Sequence, residues 1–170
     1  MKKFVLSLLV VFAGFTLTAQ SLDIPEVTIK DINGKQVSSS SIEADGKPVV
    51  ISFWATWCKP CVRELTAIDE SYIDWQDETG VKVIAISIDD TRNSAKVAPF
   101  VNGRNWEYEV YIDENSDLRR MMGVNNIPHT FLFDGNGKLV YQHNGYAQGD
   151  EDLLYEMIQK LARGETLEAH

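Results

Sequence analysis

Both cysteines of the chain fall in one short stretch, FWATWCKPCVRE, residues Phe53–Glu64, with Lys59 and Pro60 between them. Two thiols at that spacing can close a small structural disulfide, supply half of a metal site, or form a dithiol/disulfide couple that exchanges electrons with another protein. As a staple the pair is poor: so small a ring constrains the unfolded chain by about 2 kcal/mol, against about 5 for a hundred-residue loop. A metal reading lacks ligands, since structural zinc wants four and the three histidines, His129, His143 and His170, are not paired in sequence. Covalent haem attachment needs a histidine directly after the second cysteine, where Val62 stands. No metal and no cofactor is therefore expected, and exchange chemistry fits the surroundings best.

Such chemistry needs one sulfur kept ionisable and within reach, which is a task for the flanking elements. Pro48–Trp54, PVVISFW, is apolar apart from Ser52, of strand length and rich in β-branched and aromatic residues, so it reads as a buried strand. After the cysteines, Glu64, Leu65, Ile68, Tyr72 and Trp75 recur at helical spacing. The pair thus sits where a strand gives way to a helix. Pro60 supports that junction, because a residue without an N–H and with a fixed φ is at ease in the first helical turn. Cys58 then lies at the positive end of the helix dipole, which favours its thiolate. Lys59 either adds to that through its charge or is a solvated surface residue. A thiol of pKa ~8.5 is about 3% ionised at pH 7 and one of pKa ~7 about half, yet falling nucleophilicity leaves a net rate gain of only about threefold. The dipole sets redox poise more than speed.

With strand, cysteines and helix in that order, W-C-K-P-C resembles the active-site motif of the thioredoxin superfamily. A second stretch, GVNNIPHTFLF over Gly123–Phe133, carries Ile127-Pro128 ahead of an apolar strand. It resembles the loop whose cis proline faces the cysteines in that superfamily; by itself it would read as an ordinary trans turn before an edge strand. The finer resemblance is to the exported TlpA/ResA-like branch of thiol–disulfide oxidoreductases. Val27–Val37 reads as an N-terminal hairpin around an Asn33-Gly34 turn. An additional helix-plus-strand segment is expected between Asp90 and Asp113, with its helix over Thr91–Asn102. Glu64 stands where ResA-like members carry a glutamate. One departure concerns proton transfer. Cytoplasmic thioredoxins place a buried Asp in the strand before the motif and a Lys on the next strand, and the aligned positions here are Ser52 and Ala85.

The resemblance implies an α/β fold, a thioredoxin-like three-layer sandwich with a mixed central sheet, the N-terminal β-hairpin and the inserted helix-strand segment. It implies a two-step exchange in which Cys58 attacks a substrate disulfide and Cys61 then displaces the substrate from Cys58. Cys61 must first lose a proton. Glu64, one turn further along the helix, is placed to take it, although the same spacing suits a solvated first-turn glutamate favoured by the dipole. Trp57 is expected in an exposed apolar platform for substrate, and Trp54 in the core. Pro128 would aim the backbone of Ile127 at the substrate chain. Pro60 within the motif goes with reducing members of the superfamily. The implied partners are protein thiols and disulfides, with apocytochrome c the most specific, and a membrane dithiol donor that recharges the pair. A disulfide oxidant or isomerase, a non-catalytic thioredoxin-like binding module and a copper-handling protein remain as alternatives. A peroxidase fits less well, since its peroxidatic cysteine follows a Thr-x-x pattern. His129 and His143 carry no expected role.

The remaining chain bounds where this chemistry takes place. A net charge of −9 argues against nucleic acid or an anionic membrane surface as partner. Lys2 and Lys3 precede an apolar stretch over Phe4–Leu17, and Ala19 offers a small residue for cleavage. This is the layout of a secretory signal, and the stretch falls short of the ~20 residues that span a bilayer. Residues 1–20 are therefore expected to be a signal peptide, with a short uncleaved anchor as the alternative, and residues 21–170 a single thioredoxin-like domain. The mature protein is expected outside the cytoplasm, periplasmic or otherwise extracytoplasmic, as a monomer. Strands are expected over Val81–Ile88, Val110–Asp113 and Lys138–Gln142, the last after an Asp134–Gly137 turn. A short helix is expected over Asp117–Met122. Asp150–Arg163 should close the domain through a stripe of Leu153, Leu154, Met157, Ile158 and Leu161, with Gly164 as its stop and fraying beyond Leu167.

Overall fold

A computed structural model describes residues 22–167. The expected signal over residues 1–20 and the fraying beyond Leu167 lie outside the described residues. The elements run β1 (Thr28–Asp31), β2 (Gln36–Ser38), β3 (Val49–Trp54), α1 (Lys59–Thr79), β4 (Lys82–Ser87), α2 (Val97–Asn102), β5 (Glu109–Ile112), α3 (Asp117–Met121), β6 (His129–Phe133), β7 (Leu139–Asn144) and α4 (Asp150–Ala162). The strands join one sheet in the order β2-β1-β5-β4-β3-β6-β7. β3, β4 and β5 are parallel, while β1, β6 and the outer strands join antiparallel, so the sheet is mixed. The apolar run that read as a buried strand forms β3, and every one of its residues is buried. Burial on both faces means that helices cover the middle of the sheet from either side, as parallel strands require.

Turn chemistry sets the two hairpins in the same way. At the first, the Asp31 carboxylate accepts from the Asn33 and Lys35 N–H groups, and at the second Asp134 accepts from Asn136 and Lys138. Each side chain mimics a backbone turn and fixes the register of the strands that follow. Gly135 is required for a different reason. A β-carbon there would stand 2.6 Å from the carbonyl oxygen of Gly46, so only a glycine lets these two loops meet.

α1 carries the predicted stripe: Leu65, Ile68, Tyr72 and Trp75 are buried. Each buried large apolar side chain contributes roughly 1.5–3 kcal/mol, enough to fix which face of the helix meets the sheet. Gly80 ends the helix in the left-handed conformation at φ 71°, and its N–H returns to the Gln76 carbonyl. α4 packs against α1, with Tyr155 stacked on Trp75 at 4.7 Å.

Two expectations need correction. The inserted helix is shorter than Thr91–Asn102: a single 3-10 turn over Ser94–Lys96 leads into α2. Pro99 explains this, because a proline tolerated in the first helical turn would clash with the preceding turn further inside a helix. On α4, Leu154 and Ile158 are buried, but Leu153 points away and is 59% exposed.

Candidate active site

Cys58 is the N-cap residue of α1, with φ −88° and ψ 95°, and Pro60 lies within the first turn. The two sulfurs are joined as a disulfide. The Cys61 N–H, one of the amides that a helix start leaves unpaired, points at Cys58 Sγ at 3.3 Å. The two sulfurs differ in access: Cys58 retains 6% exposure and Cys61 none. Trp57 beside them is 63% exposed, Lys59 is exposed and Pro60 half-buried. The segment ahead of Cys58 is held from below by Asp89, a fully buried carboxylate that accepts from the Thr56 N–H at 2.8 Å and the Thr56 hydroxyl at 2.7 Å. Ser87 Oγ donates to the same carboxylate. Nothing in the sequence reading singled out Asp89. Its signal would have been an acid directly after a buried strand, where a solvated loop residue looks the same.

The proline loop faces the pair. The Ile127–Pro128 peptide is cis, and the Ile127 carbonyl oxygen stands 3.9 Å from Cys58 Sγ. In the disulfide that sulfur has no proton to give, so this is a contact rather than a hydrogen bond. The trans alternative for Pro128 is set aside, and Ile127 is half-buried beside the sulfur.

Glu64 is not the solvated glutamate that its spacing also allowed. It is only 2% exposed and lies over the sheet beneath α1. Thr130 Oγ1 donates to Glu64 Oε1 at 2.8 Å, and Ser52 Oγ donates to Oε2 at 3.2 Å. Thr130 and Ser52 also approach each other at 3.1 Å, but each hydroxyl has one proton and the carboxylate is the stronger acceptor. Ser52 therefore takes on meaning as more than a departure from thioredoxin. A carboxylate does reach the interior, three residues beyond the second cysteine, carried by α1 rather than by β3.

A fourth polar side chain completes the cluster. His143 Nε2 stands 3.2 Å from Glu64 Oε1. The sequence offered no role for His143, and the reason lies in register. Ser52 pairs with Thr130 across β3 and β6, and Thr130 with His143 across β6 and β7. The three therefore form one polar row on the α1 face, and no single strand displays that row. His129 points the other way, stacked on Phe131 at 4.4 Å. Among the described residues no cluster of three or more His, Cys, Asp or Glu could hold a metal.

A profile of the AhpC/TSA family matches residues 21–142. The chain belongs to the AhpC/TSA family. Within that family it is similar to the thiol-disulfide oxidoreductase ResA of Bacillus thuringiensis subsp. konkukian, 30% identical over 88% of this chain and 85% of the relative. ResA of Bacillus subtilis is 28% identical over 92% and 83%. Among solved structures, a thioredoxin-like protein from Porphyromonas gingivalis is 49% identical, with a TM-score of 0.77 over 89% of this chain and 99% of that one. A protein assigned as thiol:disulfide interchange protein DsbE from Chlorobium tepidum is 26% identical, with a TM-score of 0.71 over 84% and 97%. This AhpC/TSA member is thus a thiol–disulfide oxidoreductase with the thioredoxin-like fold.

Proposed function

We propose that the protein is exported and works mainly as a disulfide reductant through Cys58 and Cys61. The observation that carries this reading is the placement of one sulfur at a helix N-cap facing the proline loop, with the other sheltered behind it. Cys58 attacks a client disulfide, forms a mixed disulfide and releases one client sulfur as thiolate. Cys61 gives its proton to Glu64 and attacks Cys58 Sγ. The Cys58–Cys61 bond forms, the client leaves with both its cysteines reduced, and the pair is oxidised by the same two electrons. A buried thiol resists ionising in apolar surroundings, so a nearby carboxylate lowers that barrier. Trp57 and Pro60 form the apolar contact for the client chain, the Ile127 backbone beside Pro128 offers strand-like pairing, and Lys59 adds positive charge near the attacking sulfur.

Residues 1–20 act as the secretory signal in this reading, with residues 21–170 the thioredoxin-like domain. The two lysines, the apolar stretch and Ala19 support it, as does the exported branch that the motifs resemble. Among the described residues no helix is long and apolar enough to cross a membrane. Clients are protein thiols and disulfides, apocytochrome c the most specific, with a membrane dithiol donor returning the electrons.

Two measurements test the reading. A Cys61→Ser variant should hold its client covalently on Cys58, so that the client can be identified after purification under non-reducing conditions. The reduction potential should lie near the ~−270 mV of thioredoxin; a value near the ~−120 mV of DsbA would make the protein an oxidant instead. Absence of any turnover with disulfide substrates would leave a binding or copper-handling role.

A further inference from the structure

Glu64 can accept a proton from Cys61, but it is sealed from water, and a proton held there can return to Cys61 and reverse the resolving step. Its side chain is 2% exposed, and its two hydrogen-bonding hydroxyls, Ser52 and Thr130, are themselves fully buried. His143 differs from these neighbours. Its side chain is 16% exposed although both ring nitrogens are buried, and its Nε2 lies 3.2 Å from Glu64 Oε1. Neither ring nitrogen has a hydrogen-bond partner, although Nε2 lies within ion-pair distance of the carboxylate. A buried imidazole with both nitrogens unpaired carries a free-energy cost, and such exceptions call for a reason.

The geometry points to His143 as the proton exit for Glu64. It is a positioning residue that connects the buried carboxylate to solvent without touching the sulfurs. The inference rests on the proton-acceptor role of Glu64 proposed above. In the resolving step the Cys61 proton moves to Glu64 as the Cys58–Cys61 bond forms and the client thiolate leaves. In that same step Glu64 Oε1 gives a proton to His143 Nε2, so that Glu64 stays a carboxylate, and the imidazolium afterwards releases one proton to water. Re-reduction runs the path backwards.

Two tyrosines lie within the field of Glu64. Tyr108, which precedes β5, lies within the field of Glu64 and is held far above the usual phenol range, first by burial. Tyr146, in the loop after β7, is pushed up to about 12 by burial, by its hydrogen bond to Glu151, and by the charges of Glu151, Glu64 and Asp150. Tyr141 packs at 5.8 Å from the His143 ring.

The test is single-turnover resolution of a mixed disulfide between Cys58 and a model peptide, followed from pH 5 to 9. His143→Gln should slow resolution about tenfold near neutral pH and displace the pH profile. His143→Ala should be slowed likewise and recover in proportion to added imidazole, whereas wild-type protein and Glu64→Gln should not respond to it. Recovery by imidazole is not expected of a residue that only supports the fold. Circular dichroism of both variants controls for folding, and His143→Gln, close in size, covers the case in which His143→Ala unfolds. If Glu64→Gln resolves at the wild-type rate, the role of Glu64 fails and the exit with it. If Glu64→Gln is slow while the His143 variants keep the wild-type rate and profile, or ignore imidazole, the exit alone is wrong.

Discussion

Ser52 and Trp54 lie on the same face of β3, two residues apart, and enter opposite surroundings. Ser52 joins Thr130, Glu64 and His143 in a buried polar cluster. Trp54 packs against Trp106 at 5.1 Å and Phe100 at 5.5 Å, and the aromatic set continues through Tyr108 to Tyr72 on α1. The aromatic set holds the inserted segment and α1 against the sheet through area and shape. The polar set holds the Glu64 carboxylate in the interior under α1. One face of one strand thus divides between stability and chemistry, and changes in the two halves should be read out differently.

The largest effect is expected in the aromatic half. Trp54→Ala should cost about 3–5 kcal/mol of unfolding free energy, measured by denaturant titration, because a fully buried side chain leaves a cavity that the sheet cannot close. A loss below about 1 kcal/mol would mean that the cluster does not stabilise the fold as described. In the polar half, Glu64→Gln should slow mixed-disulfide resolution about tenfold at neutral pH, equivalent to about 1.4 kcal/mol of barrier. Its stability should change by no more than about 1 kcal/mol, since Gln keeps the shape and removes a buried charge. A variant with wild-type resolution and a large stability loss would move Glu64 to the structural half of the comparison. Arg104, an exposed residue whose guanidinium lies 3.6 Å from the Phe100 ring centre, caps the aromatic set. Arg104→Ala should cost about 0.5–1 kcal/mol of stability and leave turnover unchanged.

The same division explains what could be read from the sequence. The apolar run of β3, the stripe on α1 and the Asp-Gly and Asn-Gly turns each declare themselves within a dozen residues, since periodicity and turn chemistry are local properties. Cys58, Cys61 and Pro60 stood together in one motif, and resemblance supplied the proline loop. The polar row was hidden for a physical reason. Ser52, Thr130 and His143 come from three strands, and they meet only because β3 pairs with β6 and β6 with β7 in one particular register. A serine, a threonine and a histidine in separate strands look like ordinary substitutions until that register is known. Asp89 was hidden likewise: its partner Thr56 comes from the loop after a neighbouring strand. The inserted helix over Thr91–Asn102 came with the family resemblance, which does not register where Pro99 lets a helix begin.

The central claim is that the two sulfurs are unequal, one reachable and ionisable at the helix start and one sheltered. Alkylation of the reduced protein over a pH series, with each modified cysteine identified by mass spectrometry, tests it most directly. Cys58 should react with an apparent pKa below the ~8.5 of a free thiol, and Cys61 should stay unmodified until the protein is unfolded. Equal labelling of both cysteines in the folded protein, or labelling of Cys61 first, would contradict the account.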